Sequence, residues 1–144
     1  WDSAARASIQ GLTRNSGRPE IARATLEAIG FQTRDLFEAM AADGAAPPTT
    51  LRVDGGLTRN GWAMQFLADI LSIPVERPVI TETTALGAAY LAGLQAGVYA
   101  DAAEIGNHWK RDMVFKPRMS EKECNARYAG WQDAVLRTRT TSYG

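Results

Sequence analysis

At 144 residues, with sixteen Lys and Arg balanced by sixteen Asp and Glu, the chain suits one domain and carries no net field for gathering nucleic acid or an anionic membrane surface. A complete domain of this size removes roughly 68–70% of its unfolded surface from water, which is enough for a substantial core. Cys124 is the only cysteine, so an intrachain disulfide is excluded and a buried thiol in a reducing, cytoplasmic setting is expected; the most apolar segment, Ala85 to Tyr99, is broken by Gln95 and falls short of the ~20 residues a membrane helix needs.

Trp1–Asp2–Ser3–Ala4 has neither an initiator methionine nor the charged-then-apolar layout of a leader, so the chain reads as cut from a longer polypeptide. Ala7 to Leu12 is a short apolar run expected to form a strand, followed by the turn-rich Thr13 to Arg18. A first helix is predicted from Pro19, with apolar positions Ile21, Leu26, Ile29, Leu36, Phe37 and Met40, before Asp43–Gly44 and Pro47–Pro48 stop it.

Leu51 and Val53 alternate with Arg52 and Asp54 as in a strand. Trp62, Ala63, Phe66, Leu67, Ile70 and Leu71 then recur at helical spacing. Between them, Gly55–Gly56 makes a strand-to-helix turn. Lacking Cβ atoms, glycines there let a ligand approach the backbone beside N–H groups that a first helical turn leaves unpaired. Two phosphate motifs are excluded. Gly56 and Gly61 have the spacing of a Walker loop, but Trp62 and Ala63 replace its lysine and hydroxyl, and Gly55–Gly56–Leu57–Thr58 lacks the spacing of the dinucleotide fingerprint. Asp54, at the carboxyl end of the strand where ligands gather in α/β sheets, either orders the turn or faces the ligand.

Val75 to Ile80 is expected to be a strand that Pro78 places at an edge or ends early. Thr83 or Thr84 then caps a third helix through Leu94. Gly87 and Gly93 each cost it about 1 kcal/mol against alanine, so close packing of the Ala85, Ala88, Ala89, Ala92 and Ala96 face is expected to offset them. Met113 to Phe115 reads as a last strand before Pro117, and Ser120 to Arg137 as a final helix presenting Tyr128, Trp131 and Leu136 for packing. The alternation of strands and helices implies α/β architecture. His108 is the only histidine and sits in a polar, loop-like stretch, which leaves no multi-histidine metal site and argues against a triad. No pair of carboxylates stands out as an acid/base couple.

Three motifs carry a family resemblance. The first is Ala7-x-Ile9-x-Gly11-Leu12, then seven residues, then Glu20-Ile21-x-x-Ala24-Thr25-Leu26-Glu27. The second is Arg52–Val53–Asp54–Gly55–Gly56 with Met64 to Leu71 downstream; the third is Val75–Glu76–Arg77–Pro78 continuing through Glu82–Thr83–Thr84–Ala85–Leu86–Gly87 to Leu94. With the ending Tyr128–Ala129–Gly130–Trp131, nearly the whole chain resembles the carboxyl-terminal half of the FGGY family of carbohydrate kinases, and most of all its glycerol-phosphorylating branch.

The resemblance implies the actin-like ATPase, ribonuclease-H-like fold, in which two α/β domains flank a cleft. Residues 1–144 would form the nucleotide-binding domain without its first strands. It implies ATP and ADP with Mg2+ as ligands, glycerol held by a missing amino-terminal domain that also carries the catalytic aspartate, and a homo-oligomer with no nucleic-acid or membrane partner. The nucleotide contacts it implies are Gly56 and Asn60, with Gly55 and Asp54 beside them. Thr58 and Arg59 depart from the smaller or apolar residues often found there, and Arg59 is expected to point to solvent. Alternatives are a family kinase acting on a pentulose, gluconate or erythritol, and a nucleotide-gated module of the same fold that is not a kinase.

Overall fold

The computed structural model describes residues 2–140. Helix α1 spans Arg18–Ala42; Pro19 lies in its first turn, and the Glu20 carboxylate accepts the Gly17 N–H at 2.8 Å. That hydrogen bond holds the Glu20 carboxyl below its ordinary pKa. The helix runs two residues past Met40 and ends in a Schellman arrangement. Gly44, at φ +87°, donates to the Ala41 carbonyl, and Ala45 donates to that of Met40.

Strand β1 (Leu51–Arg52) leads through a 3₁₀ turn (Gly56–Arg59) to helix α2 (Gly61–Leu71), and β2 (Val75–Pro78) follows. Next come α3 (Thr83–Gln95), the short α4 (Ala102–Gly106), β3 (Arg111–Phe115) and α5 (Glu121–Thr138). Among the described residues the sheet has three strands in the order β1-β2-β3, with β1 parallel to β2 and β3 antiparallel to it. Pro78 therefore ends a central strand, at a register irregularity after Arg77, and the edge alternative is set aside.

The core forms on α2, whose Ala63, Met64, Leu67 and Ala68 pack with Val75 and Phe115 of the sheet. Its other side meets α1 and α5 through Phe31, Phe66, Ile70, Cys124 and Tyr128. Gly30 sets the α1–α2 approach, since a Cβ there would stand 2.8 Å from the Phe66 ring. The α1–α5 contact is polar at its centre. Asp35 accepts from the Tyr128 hydroxyl at 2.6 Å and from the Trp131 indole N–H at 2.7 Å, while the Arg34 guanidinium lies 4.1 Å from the Tyr128 ring centroid. Burial and then the Asp35 hydrogen bond push the Tyr128 pKa up to about 12. Cys124 is buried as expected, its thiol donating to the Asp69 carbonyl, and burial raises its pKa.

Several expectations change. Ala7 to Leu12 is not a strand: it has no sheet partner among the described residues, Ile9 and Leu12 are exposed, and Ser8 and Gln10 bond the end of α5 at Thr138 and Ala134. Glu82, not a threonine, occupies the N-cap position of α3, and Thr83 is its first residue. The alanine face does not pack closely; Ala85, Ala88, Ala89, Ala92 and Ala96 are all exposed. Only Gly93 fits the close-packing reason, with the Tyr99 ring 2.7 Å from where its Cβ would be. Tyr128 and Trp131 pack, whereas Leu136 is exposed. The unforeseen α4 is announced by Asp101 and Glu104, a capping-box pattern in which the Asp101 carboxylate accepts the Glu104 N–H and that of Glu104 accepts the Ala100 N–H.

Candidate functional site

Beyond β1 the parallel ladder continues for one bond, from the Val53 N–H to the Glu76 carbonyl at 3.1 Å, and then the chain turns outward at Asp54. Gly55 has φ +84° and ψ 172°, a region open essentially to glycine alone, and its N–H donates to the Thr81 carbonyl at 2.7 Å. Asp54 accepts from the Thr83 hydroxyl, so its carboxylate ties the turn to the start of α3. Of the two roles open to Asp54, turn ordering is the one the hydrogen bonds display.

Gly56 opens the 3₁₀ turn, and its φ is not positive. A Cβ at Gly56 would meet nothing within 4 Å, and neither would one at Gly55. The two glycines therefore do different work: the first is required by backbone conformation, and the second leaves an open approach to the main chain. Thr58 is 1% exposed. Its hydroxyl donates to the Gly55 carbonyl at 2.7 Å, which closes the turn from inside. Arg59 is exposed, as expected.

The double-glycine turn does not run directly into α2. The 3₁₀ turn intervenes, and Asn60, extended at φ −82° and ψ 96°, is the N-cap of α2. Its side-chain oxygen accepts the Ala63 N–H at 3.1 Å. That oxygen is thus engaged within the fold, and the amide NH₂ is the part of the side chain best placed to serve a ligand. The expected site residues, Asp54, Gly55, Gly56 and Asn60, all fall in the segment between the end of β1 and the start of α2.

Beside this turn lies a cavity of about 370 Å³ that sequence reasoning missed, lined in part by Arg52, Thr83, Leu86, Tyr90, His108 and Trp109. None of the four expected residues lines it. Arg52 stacks 4.0 Å from the Trp109 ring centroid, and exposed His108 stands 6.2 and 5.7 Å from the Tyr90 and Tyr99 ring centroids. Spacing alone could not reveal this cluster, because its members come from elements separated by tens of residues.

A family model described as "FGGY family of carbohydrate kinases, C-terminal domain" matches residues 1–96. Glycerol kinase of Ectopseudomonas mendocina is 59% identical over 140 residues, 97% of this chain and 28% of its own length. That of Alcanivorax borkumensis is 53% identical over 144 residues, all of this chain and 29% of its own length. Among solved structures, Plasmodium falciparum glycerol kinase with ADP superposes with a TM-score of 0.81 at 38% identity, covering 98% of this chain and 28% of that one. Gluconate kinase from Lactobacillus acidophilus gives 0.69 at 30% identity, over 100% of this chain and 29% of that one. The chain thus spans little more than a quarter of the length of the relatives it matches. Its mixed α/β architecture is that of the carboxyl-terminal part of these kinases, the actin-like ATPase fold. With the family model matched over residues 1–96 and the identity and superposition in agreement, this chain belongs to the FGGY family of carbohydrate kinases.

Proposed function

We propose that residues 1–144 form the nucleotide-binding, carboxyl-terminal part of a two-domain, ATP-dependent glycerol kinase. The supporting observation is that identity to glycerol kinases reaches 59% across nearly the whole chain, and that among solved structures the glycerol kinase is 38% identical against 30% for the gluconate kinase. The adenosine end of ATP would lie on the open backbone at Gly55 and Gly56, with the Asn60 amide donating to base or ribose. A glycerol hydroxyl would attack the γ-phosphorus in line, its proton passing to an aspartate outside this chain while the bond to ADP breaks; the product is sn-glycerol 3-phosphate. Positioning supplies most of the rate in such transfers. Among the described residues no three His, Cys, Asp or Glu gather to hold a metal. In this reading magnesium would arrive with the ATP phosphates, and this chain's share of the work is to fix the nucleotide. Phosphorylation of glycerol in preference to pentuloses, gluconate or erythritol by the full-length protein is the deciding assay, and turnover of none of them with ATP would leave the nucleotide-gated module.

Because cap and ligand contact share one residue, substitutions at Asn60 separate them. Asn60→Ala is expected to lose about 1 kcal/mol of stability with the cap and to raise the KM for ATP a few-fold, as loss of a hydrogen bond of about 0.5–1.5 kcal/mol implies. Asn60→Ser restores a capping oxygen without the amide, so its unfolding should recover while its KM for ATP stays raised. Recovery of both would leave Asn60 a cap and nothing more.

By itself the chain is expected neither to phosphorylate glycerol nor to hydrolyse ATP, since the reaction needs a second domain closing over the cleft. Glycerol 3-phosphate formed by purified chain free of host kinase would count against the division of labour proposed. The exposed face of α3, where Leu91 is 70% exposed beside its alanines, together with exposed Val98, should make the isolated chain self-associate. Light scattering across a concentration series reads this directly, and a monomer at every concentration would contradict it.

A further inference from the structure

Arg77, in the Val75–Pro78 motif, has no part in the nucleotide contacts proposed above, and yet its guanidinium reaches the 3₁₀ turn that lies between them. From β2 its Nε and Nη2 donate to the Asp112 carboxylate of β3 at 2.8 and 2.6 Å, and its Nη1 donates to the Thr58 carbonyl at 3.2 Å. The side chain is 18% exposed, and its head lies 5.7 Å from the ring centroid of Phe115, a buried member of the core. Asp112 thus fixes the plane of the fork while the remaining nitrogen is aimed at the 3₁₀ turn.

Asn60 leaves helical geometry to begin α2 and its N–H closes the turn on the Leu57 carbonyl, while the Thr58 carbonyl takes its donor from Arg77. Thr58 is one of the residues that hold the turn: its hydroxyl fastens Gly55 from one side and its carbonyl is fastened by Arg77 from the other. Gly56 and Asn60 flank it by two residues on either side. A shift of the Thr58 peptide would therefore move the surface and the amide assigned to the nucleotide, while leaving β2 and β3 paired through their backbones.

We propose that Arg77 is a positioning residue for nucleotide binding, an Asp112-braced guanidinium that sets the 3₁₀ turn carrying Gly56 and Asn60. The inference rests on the nucleotide reading of that turn, and the test separates the two. In the full-length protein, Arg77→Met should raise the KM for ATP about five- to tenfold while kcat and the KM for glycerol stay within about twofold. Arg77→Lys keeps the charge but cannot serve Asp112 and Thr58 with a planar fork, so it should give an intermediate rise. Gly56→Val is run beside them. If Gly56→Val raises the KM for ATP and Arg77→Met does not, the positioning role is overturned alone; if neither does, the nucleotide reading falls and takes it along. Equal rises in both Michaelis constants would mean general loosening and also overturn the role. Should Arg77→Met fail to fold, Asp112→Asn, at a side chain 44% exposed, must raise the KM for ATP in the same direction, and an unchanged value overturns the proposal.

Discussion

Gly56→Val in the full-length protein is expected to raise the KM for ATP on the order of tenfold or more, about 1.4 kcal/mol of lost binding, with the KM for glycerol little changed. The structure makes this a clean substitution. A Cβ at Gly56 enters open space and the φ there is one any residue adopts, so the valine should leave thermal unfolding unaltered while standing where the proposed function puts the adenosine. Its neighbour behaves oppositely. Gly55→Val forces a branched residue to φ +84° and should cost about 1–3 kcal/mol of stability before any ligand is considered. A well-folded Gly56→Val protein with an ordinary KM for ATP would remove the nucleotide from this turn.

The largest loss of stability is expected at Asp35, far from that surface. Asp35→Ala strips the acceptor from both the Tyr128 hydroxyl and the Trp131 indole N–H, leaving two donors at the α1–α5 contact without their partner. Unsatisfied donors of this kind cost about 1–3 kcal/mol each when buried; because Trp131 is only half-buried, about 2–4 kcal/mol in total is expected, read as a lower urea midpoint at constant slope. An unchanged midpoint would show the contact to be idle. Alkali gives a second reading. The folded state raises the Tyr128 pKa to about 12 by burial first and the Asp35 hydrogen bond second, so the stability this supplies is whole below about pH 10 and disappears as pH rises through about 12. In Asp35→Ala the second cause is gone, and the alkaline loss should shrink.

Much of this was legible in the residues. The apolar periodicity of α1, α2 and α5 located those helices to within a few residues, because each buries one face against a neighbour and needs side chains at that spacing. The glycine pair was visible for a similar reason: the backbone conformation at Gly55, φ +84°, demands the residue without a Cβ. The Ala7–Leu12 segment misled because a strand is not a local structure. Its composition suits a sheet, but with no neighbouring strand among the described residues it lies exposed along α5.

By itself, then, the sequence determined the family, the order of the main elements and the place of the double-glycine turn, since motif identity and periodicity are properties of residues near one another in the chain. The tertiary structure alone decided how that turn is held. Asp54 meets Thr83 across 29 positions, Arg77 meets Thr58 across 19, and Asn60 proves to be a cap whose oxygen is already engaged. The cavity beside the turn likewise exists only once β1, α3 and the segment before β3 have been brought together. Hydrogen bonds of this kind leave no periodic trace in a sequence, because each depends on where two elements stop in space rather than on which residues repeat along them.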